Sequence, residues 1–276
     1  MDDSRIAELE EAAARAVDAV VREDLTDAAV PTLLLRHYLN TGRAELGEAL
    51  GLALAQALGL AGSDATVLGR AAWLTLLVEA TAVADDERIL PAIAALVAAL
   101  QAAWPAQTRI DEVAASVEAC LRAAEIVAPD ELVQGAIDQL ERVIGGSYRP
   151  GDGLMRDGGG IRVRCSVDDH VRGAAALLTA FELTGRLPYS MLAEELIAIA
   201  RHDAADLVIR CEAARVLCRL AALHDDPGYR GAAAIAAGAD YRAEAARILA
   251  AESARARAGT PSAAAAYALA LLDLLK

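Results

Sequence analysis

A chain of 276 residues that is 56% hydrophobic but only 3% aromatic builds its apolar mass from Ala and Leu. Both are strong helix formers, and Ala lets helix axes approach closely. A formal charge of −14 leaves no basic stripe for phosphate and so excludes nucleic acid as a partner. Lys276 is the only lysine, which removes a Walker phosphate loop, a Schiff-base lysine and a lysine general base.

In chain order, the acidic amphipathic start MDDSRIAELEE predicts a helix from about Ser4 to Val21. It has no secretory pattern, and a cytoplasmic protein is expected. Five segments then share one layout of apolar helix, short polar turn and second apolar helix. They are LLLRHYLNTGRAELGEAL, LLVEATAVADDERILPAI, CLRAAEIVAPDELVQGAI, LLTAFELTGRLPYSMLAEEL and LCRLAALHDDPGYRGAAA. Aligning the turns brings Thr41, Ala84, Ala128, Thr184 and His224 into register, at intervals of 43, 44, 56 and 40 residues. Two helices and two connections fill such a period. Pro129 and Pro227 fall in the turns, and Pro91 and Pro188 near the starts of second helices, where a missing N–H costs little. The apolar run from Ile89 to Trp104 is short and holds Pro91 and Gln101, which reads as a buried helix and not a membrane span.

A last helix, from about Ser262 to Leu275, follows the start signal Thr260-Pro261. Paired with the first helix it completes six helical hairpins. An open solenoid needs polar caps, and AAAAYALALLDLL is too apolar to be one. The expectation is an all-α single domain over residues 1–276: an α/α toroid of about six hairpins, with one short β-hairpin insertion near 153–166. That insertion explains the long fourth interval. Leu154 to Arg156, a Gly-rich turn from Asp157 to Gly160, and Ile161 to Cys165 read as its strands and turn. Ile161, Val163 and Cys165 face one way, Arg162 and Arg164 the other.

From Asp168 onward, DDHVRGAAALLTAFELTGRLPYSMLAEELIAIA resembles a hairpin of the six-hairpin glycosidase-like superfamily. The nearest similarity is to the toroid domain of YyaL-type thioredoxin-domain-containing proteins, with N-acylglucosamine 2-epimerases more distant. It continues through CEAARVLCRLAALHDDPGYRGAAA and PSAAAAYALALLDLL, about the last 110 residues; the first 145 follow only the repeat pattern. The resemblance implies a helical barrel binding ligands where inter-hairpin loops meet the inner helices, and sugar chemistry in that site. The sequence departs from the YyaL type in lacking the CxxC-bearing thioredoxin domain. It also lacks the Gly-Gly-aromatic loop, since 201–210 reads RHDAADLVIR.

The chemistry on offer gathers at one rim. Asp168, Asp169 and His170 open the first helix of the fourth hairpin. They read either as carboxylates for general acid–base work with a proton shuttle, or as first-turn acids behind a Ser166 cap. Equivalent positions in other hairpins bring Asp27, Arg70, Glu112 and Arg210 or Glu212 to the same rim. A ring of acids and arginines suits a polar ligand, and first-turn enrichment in acids explains it equally. Arg156, Arg162 and Arg164 either present guanidinium forks to a carboxylate or phosphate, or pair with Asp157, Asp168 and Asp169. Arg36, His37 and Tyr38 interrupt an apolar helix and either line the channel or lie on a half-exposed face. His202 and His224 fall in connections and are expected to be solvated. Cys120, Cys165, Cys211 and Cys218 form no CxxC and read as buried thiols. No spacing implies a metal or other cofactor.

Two functions follow. One is a toroid that binds a small polar, sugar-like molecule at its mouth, as an isomerase or hydrolase, either active or catalytically degenerate. The other is a non-catalytic helical scaffold for a protein partner or a second copy.

Overall fold

The computed structural model describes residues 3–127, 129–200, 206–236 and 238–276. Six helices form an inner ring: α2 (Ala29–Thr41), α4 (Val67–Ala80), α6 (Ile110–Ala123), α8 (Val167–Thr184), α10 (Leu207–His224) and α13 (Pro261–Leu274). Each packs on the next, and α13 packs on both α10 and α2, so the ring closes. Outside it lie α1 (Asp3–Val21), α3 (Ala44–Ser63), α5 (Ile89–Ala103), α7 (Pro129–Ser147), α9 (Leu187–Ala200) and α12 (Tyr241–Ala258). The short α11 (Pro227–Ala232) sits between α10 and α12. The expected sixth pair is present, with α1 packed on α13. The register residue Ala128 and the side chain of Pro129 lie outside the described residues.

Local chemistry sets the helix ends. The side chains of Thr66, Ser166, Asp206, Asp226, Asp240 and Thr260 each accept a backbone N–H of the first turn they precede. At the C-termini of α2 and α8 the repeated Thr-Gly closes the helix. Thr41 and Thr184 donate to the carbonyls of His37 and Ala180, while Gly42 and Gly185 take φ of 64° and 67°.

The core between the layers is Leu and Ala, with Leu33, Leu34, Leu35, Leu74, Leu76 and Leu77 fully buried on α2 and α4. The helices Ala44–Ser63 and Ile89–Ala106 are long and apolar enough, by length and composition, to cross a membrane. Here they are outer helices, with Leu46, Leu50, Leu54 and Ile89, Ile93, Leu100 turned into the core.

Two expectations need correction. The second helix of the fifth hairpin, expected at PGYRGAAA, stops at Ala232, and α12 takes the outer position instead. The cause is the buried Glu194 on α9. Its carboxylate accepts the N–H groups of Ile235 and Ala236 at 3.0 and 2.8 Å and the Tyr241 hydroxyl at 2.5 Å. Donors that a continuing helix would direct to its own carbonyls are thereby captured. His224 is not solvated but 4% exposed, edge-on to Tyr241 and 3.5 Å from Glu194. His202 lies outside the described residues.

The insertion is a three-stranded antiparallel sheet of β1 (Tyr148–Arg149), β2 (Gly153–Asp157) and β3 (Arg162–Arg164). The predicted β-hairpin is its β2–β3 part, in the register Met155 to Arg164, Arg156 to Val163 and Asp157 to Arg162. Leu154 and Cys165 root it in the core. Gly153 has φ of +79°, and a Cβ there would meet Nε2 of His170 at 2.6 Å, so only glycine lets the strand approach α8.

The ring is bolted where the chain ends meet. Arg15 on α1 donates to the carbonyls of Ala256, Arg257 and Gly259 at the end of α12. Glu8 accepts from Ser253, Arg257 and Tyr267 on α12 and α13. Arg15→Met is expected to destabilise the fold by about 1–2 kcal/mol, since three carbonyls lose a charged donor. Thermal denaturation followed by circular dichroism reads this as a Tm lowered by several degrees; an unchanged Tm would show that the seam does not need the bolt.

Candidate functional site at the mouth of an axial charge network

Because α6 and α10 are not neighbours in the ring, a direct contact between them must cross its interior. Arg219 of α10 makes one, with Nη1 3.3 Å from Glu118 of α6. On the way it donates to Thr179 at 2.8 Å and Glu182 at 3.0 Å on α8. Glu118 is also held by Arg122 at 2.8 Å. On the other side of the axis Arg36 of α2 grips Glu79 of α4 with two hydrogen bonds, at 2.8 and 2.5 Å. Its Nη1 lies 3.8 Å from Asp273 of α13, which accepts Nε of Arg215 of α10 at 2.8 Å. All six inner helices contribute to this network.

Its members are neither dry nor free. Side-chain exposure of its charged members runs from 16% for Asp273 to 50% for Glu182, so they keep contact with solvent. Burial opposes ionisation of Glu118, but Arg122, Arg219 and Arg215 outweigh it and bring the carboxyl down to about 2. Asp273 follows the same balance, with Arg215 and Arg36 bringing it to about 2.

Glu212 goes the other way. Burial holds its carboxyl above the ordinary range, Arg172 offsets this only in part, and the like charge of Glu118 adds to it. Glu212 stands one turn into α10, at the end of the axis where all inner helices start. Nε of Arg172 lies 3.2 Å from it, and Nη1 of Arg172 lies 3.6 Å from the buried Asp111 of α6. Asp168, four residues before Arg172, is half-buried, acts electrostatically on Arg172, and makes no hydrogen bond or ion pair within 4 Å among the described residues.

The remaining rim residues have structural partners. Asp169 completes a capping box with Ser166, its Oδ2 accepting the Ser166 N–H and hydroxyl at 2.9 and 2.7 Å. Its Oδ1 accepts the N–H of Asp111 at 3.0 Å, so one carboxylate joins the N-termini of α6 and α8. His170 is buried, with Nδ1 2.8 Å from the Ser166 carbonyl and Nε2 3.0 Å from the Leu154 N–H. The carbonyl requires a donor and the amide an acceptor, which fixes the proton on Nδ1 and pins the β-hairpin to the helix start. Glu112 pairs with Arg109 at 3.4 Å. Arg210 turns outward to Glu252 on α12 at 2.8 Å, so of the two residues considered for that position Glu212 is the one at the mouth. Asp27 caps Ala29, and Arg70 holds the Asp64 carbonyl. Arg156, Arg162 and Arg164 are exposed on the ribbon.

Of the Arg36-His37-Tyr38 cluster only Arg36 reaches the axis; His37 is buried, 3.2 Å from Glu10 on α1. Glu79, Glu118, Arg122, Arg215, Arg219 and Asp273 escaped the sequence reading. Their signal was present as charged residues within apolar inner helices, one or two turns before each hairpin turn. All four cysteines are buried, and burial pushes the thiols up, to about 12 for Cys120 and Cys211. Among the described residues no group of three or more His, Cys, Asp or Glu is placed to hold a metal ion.

A closed ring of six inner helices, each followed or preceded by an outer partner, defines the class: an (α/α)6 toroid. The sequence matches no family model and no curated protein. Solved structures share the fold. An inactive double-aspartate variant of the alpha-1,6-mannanase GH76A of Salegentibacter sp. HEL1_6, in complex with alpha-1,6-mannotetrose, superposes with a TM-score of 0.68 at 11% identity. The alpha-1,6-mannanase itself gives 0.66 at 10%, and a second inactive double-aspartate variant with alpha-1,6-mannotriose 0.65 at 10%. Each match covers 96% of this chain and 98% of the other.

A carboxylate whose folded pKa lies below its unfolded value adds stability above the unfolded value and loses it as pH falls through the folded one. Glu118 and Asp273 therefore predict a fold that weakens from about pH 4 down to about pH 2. An acid titration followed by circular dichroism is expected to show that loss, and Asp273→Asn to flatten it.

Proposed function

We propose that the protein binds a carbohydrate-like polar ligand at the end of the axial charge network where the inner helices start, and acts on it by acid–base chemistry of the hydrolase or isomerase type. The observation that carries this reading is geometric: Arg172 joins Glu212, at 3.2 Å, to Asp111, at 3.6 Å, and Asp168 stands unpaired among the described residues, four residues before it; burial raises the Glu212 carboxyl, while arginines hold Glu118 deeper along the axis low. Carboxyls pushed apart in this way are how a fold runs acid chemistry near neutral pH. Glu212 is the proton donor. Asp168, the rim carboxylate without a hydrogen bond, is the acceptor, and Arg172 orients Glu212.

Asp169 and His170 are positioning residues that hold the α8 start and its ribbon in place. The mannanase variants described as inactive carry two adjacent aspartate substitutions. Of the adjacent Asp pairs in this chain, Asp168-Asp169 is the one that opens an inner helix at the mouth.

The second reading, a non-catalytic helical scaffold, draws on the saturation of Asp169 and His170 and on the arginines that already neutralise the deeper carboxylates.

A thermal-shift screen of neutral and charged mono- and oligosaccharides separates the two. The first reading expects stabilisation by at least one saccharide, lost in Asp168→Asn and in Glu212→Gln. Because burial disfavours the Glu212 carboxylate, Glu212→Gln is expected to keep or raise the Tm of the unliganded protein near pH 7. No stabilisation by any saccharide would leave the scaffold.

A further inference from the structure

The β2–β3 ribbon carries a cationic cluster that the fold itself leaves unsatisfied. Arg156, Arg162 and Arg164 are all exposed and make no hydrogen bond, and no ion pair within 4 Å, among the described residues. Elsewhere in this acidic chain arginines are engaged, as Arg36, Arg122, Arg172, Arg215 and Arg219 are in the axis and Arg15 is at the seam. None of the neighbouring acids pairs with the ribbon among the described residues. Asp157 is the cross-strand partner of Arg162, yet its Oδ1 accepts the Gly160 N–H at 3.0 Å to close the turn. Both oxygens of Asp169 are held by Ser166 and Asp111. Asp168 acts on Arg172.

The cluster is also held in place. Arg162 and Arg164, two residues apart on one strand, project from the same face, with Cα atoms about 6–7 Å apart. Arg156 projects from the other face, beside Val163. The root of the ribbon is fixed by Leu154 N–H to His170 and by Cys165 N–H to the Leu154 carbonyl, and its tip by Gly158 N–H to the Ile161 carbonyl. The first strand is tied to α9, where Glu195 accepts from the Tyr148 hydroxyl and the Gly151 N–H. The fixed backbone sets the spacing of the guanidinium groups, so only side-chain freedom is lost on meeting an anion, and their planar fork suits a carboxylate or phosphate. The ribbon leads straight into Ser166 and Asp168 at the mouth, so an anion bound there belongs to a ligand of the same rim.

We propose that the β2–β3 ribbon is an anion-binding arm, and that the ligand is a saccharide bearing a carboxylate or phosphate, held by Arg162 and Arg164, with Arg156 adding positive charge from the opposite face. This rests on the carbohydrate reading above and narrows it from polar to anionic sugars.

Isothermal titration of the full chain with three probes tests it: a neutral manno-oligosaccharide, an oligomer of uronic acid and a hexose phosphate. Preferential binding of the uronate oligomer or the hexose phosphate, weakening as salt is raised, supports the arm, and the better of the two identifies the anionic group. Arg162→Ala with Arg164→Ala is expected to weaken that binding about tenfold or more, with Tm unchanged because both side chains are exposed. Arg162→Lys with Arg164→Lys is expected to restore only part of it, since lysine lacks the fork. Equal affinity for neutral and anionic sugars, or an anionic affinity untouched by the double substitution, overturns the arm and leaves the carbohydrate reading standing. Binding of none of the three probes overturns both. Arginine-dependent sedimentation with phosphatidylserine vesicles in place of saccharide binding assigns the ribbon to a membrane surface and overturns the arm as well.

Discussion

The structure depends on closing a ring whose two ends belong to opposite ends of the chain. Hydrophobic burial can pack one hairpin against the next, but it does not say how many hairpins complete a circle. Arg36 helps to decide that count. Fixed to Glu79 on one neighbour, it also reaches Asp273 on the last inner helix, and Asp273 is fixed in turn to Arg215. Only a ring with α13 next to α2 satisfies all four charges. Ion pairs of this kind contribute little net stability once desolvation is counted, and their better-attested role is to select one arrangement among many of similar packing. In a core of interchangeable Ala and Leu that selection matters most.

The same side chains make the axis polar. A toroid whose inner helices met through apolar faces alone would fill its centre or leave it dry. Here the facing charges line the axis, paired in its lower part and less fully neutralised towards the helix starts. The gradient runs along α10: Arg219 and Arg215 are committed to carboxylates, whereas Glu212, one turn nearer the mouth, shares a single arginine and sits in an environment that disfavours its charge. A group that the fold holds at a cost is a candidate for function.

The insertion shows the two uses of polar residues side by side. Asp169 and His170 offer chemistry in the sequence and carry structural bonds in the fold: one joins two helix starts, the other staples a ribbon to a helix. Asp168, between Asp169 and the cap, shares their sequence context and has no such partner. What separates them is helical geometry. The third position of the helix points back to the cap and the fourth to the ribbon, while the second stands one turn before Arg172 with neither of these partners.

The sequence by itself determined the class of fold, the repeat, the place of the inserted ribbon and most helix ends. Those follow from local rules: apolar spacing, Thr-Gly stops, Ser and Asp caps, and a Gly-rich turn between alternating residues. The resemblance to six-hairpin glycosidase-like toroids was legible at the level of architecture, in the hairpins from Asp168 onward. Only the tertiary structure decided which charges face one another. Arg219 and Glu118 lie 101 residues apart, and Arg36 and Asp273 lie at opposite ends of the chain. Nor could local pattern foretell that Glu194 would end α11 by taking donors some 40 residues away. A side chain's partner across a closed ring is set by the curvature of the whole assembly, and no window of sequence contains it.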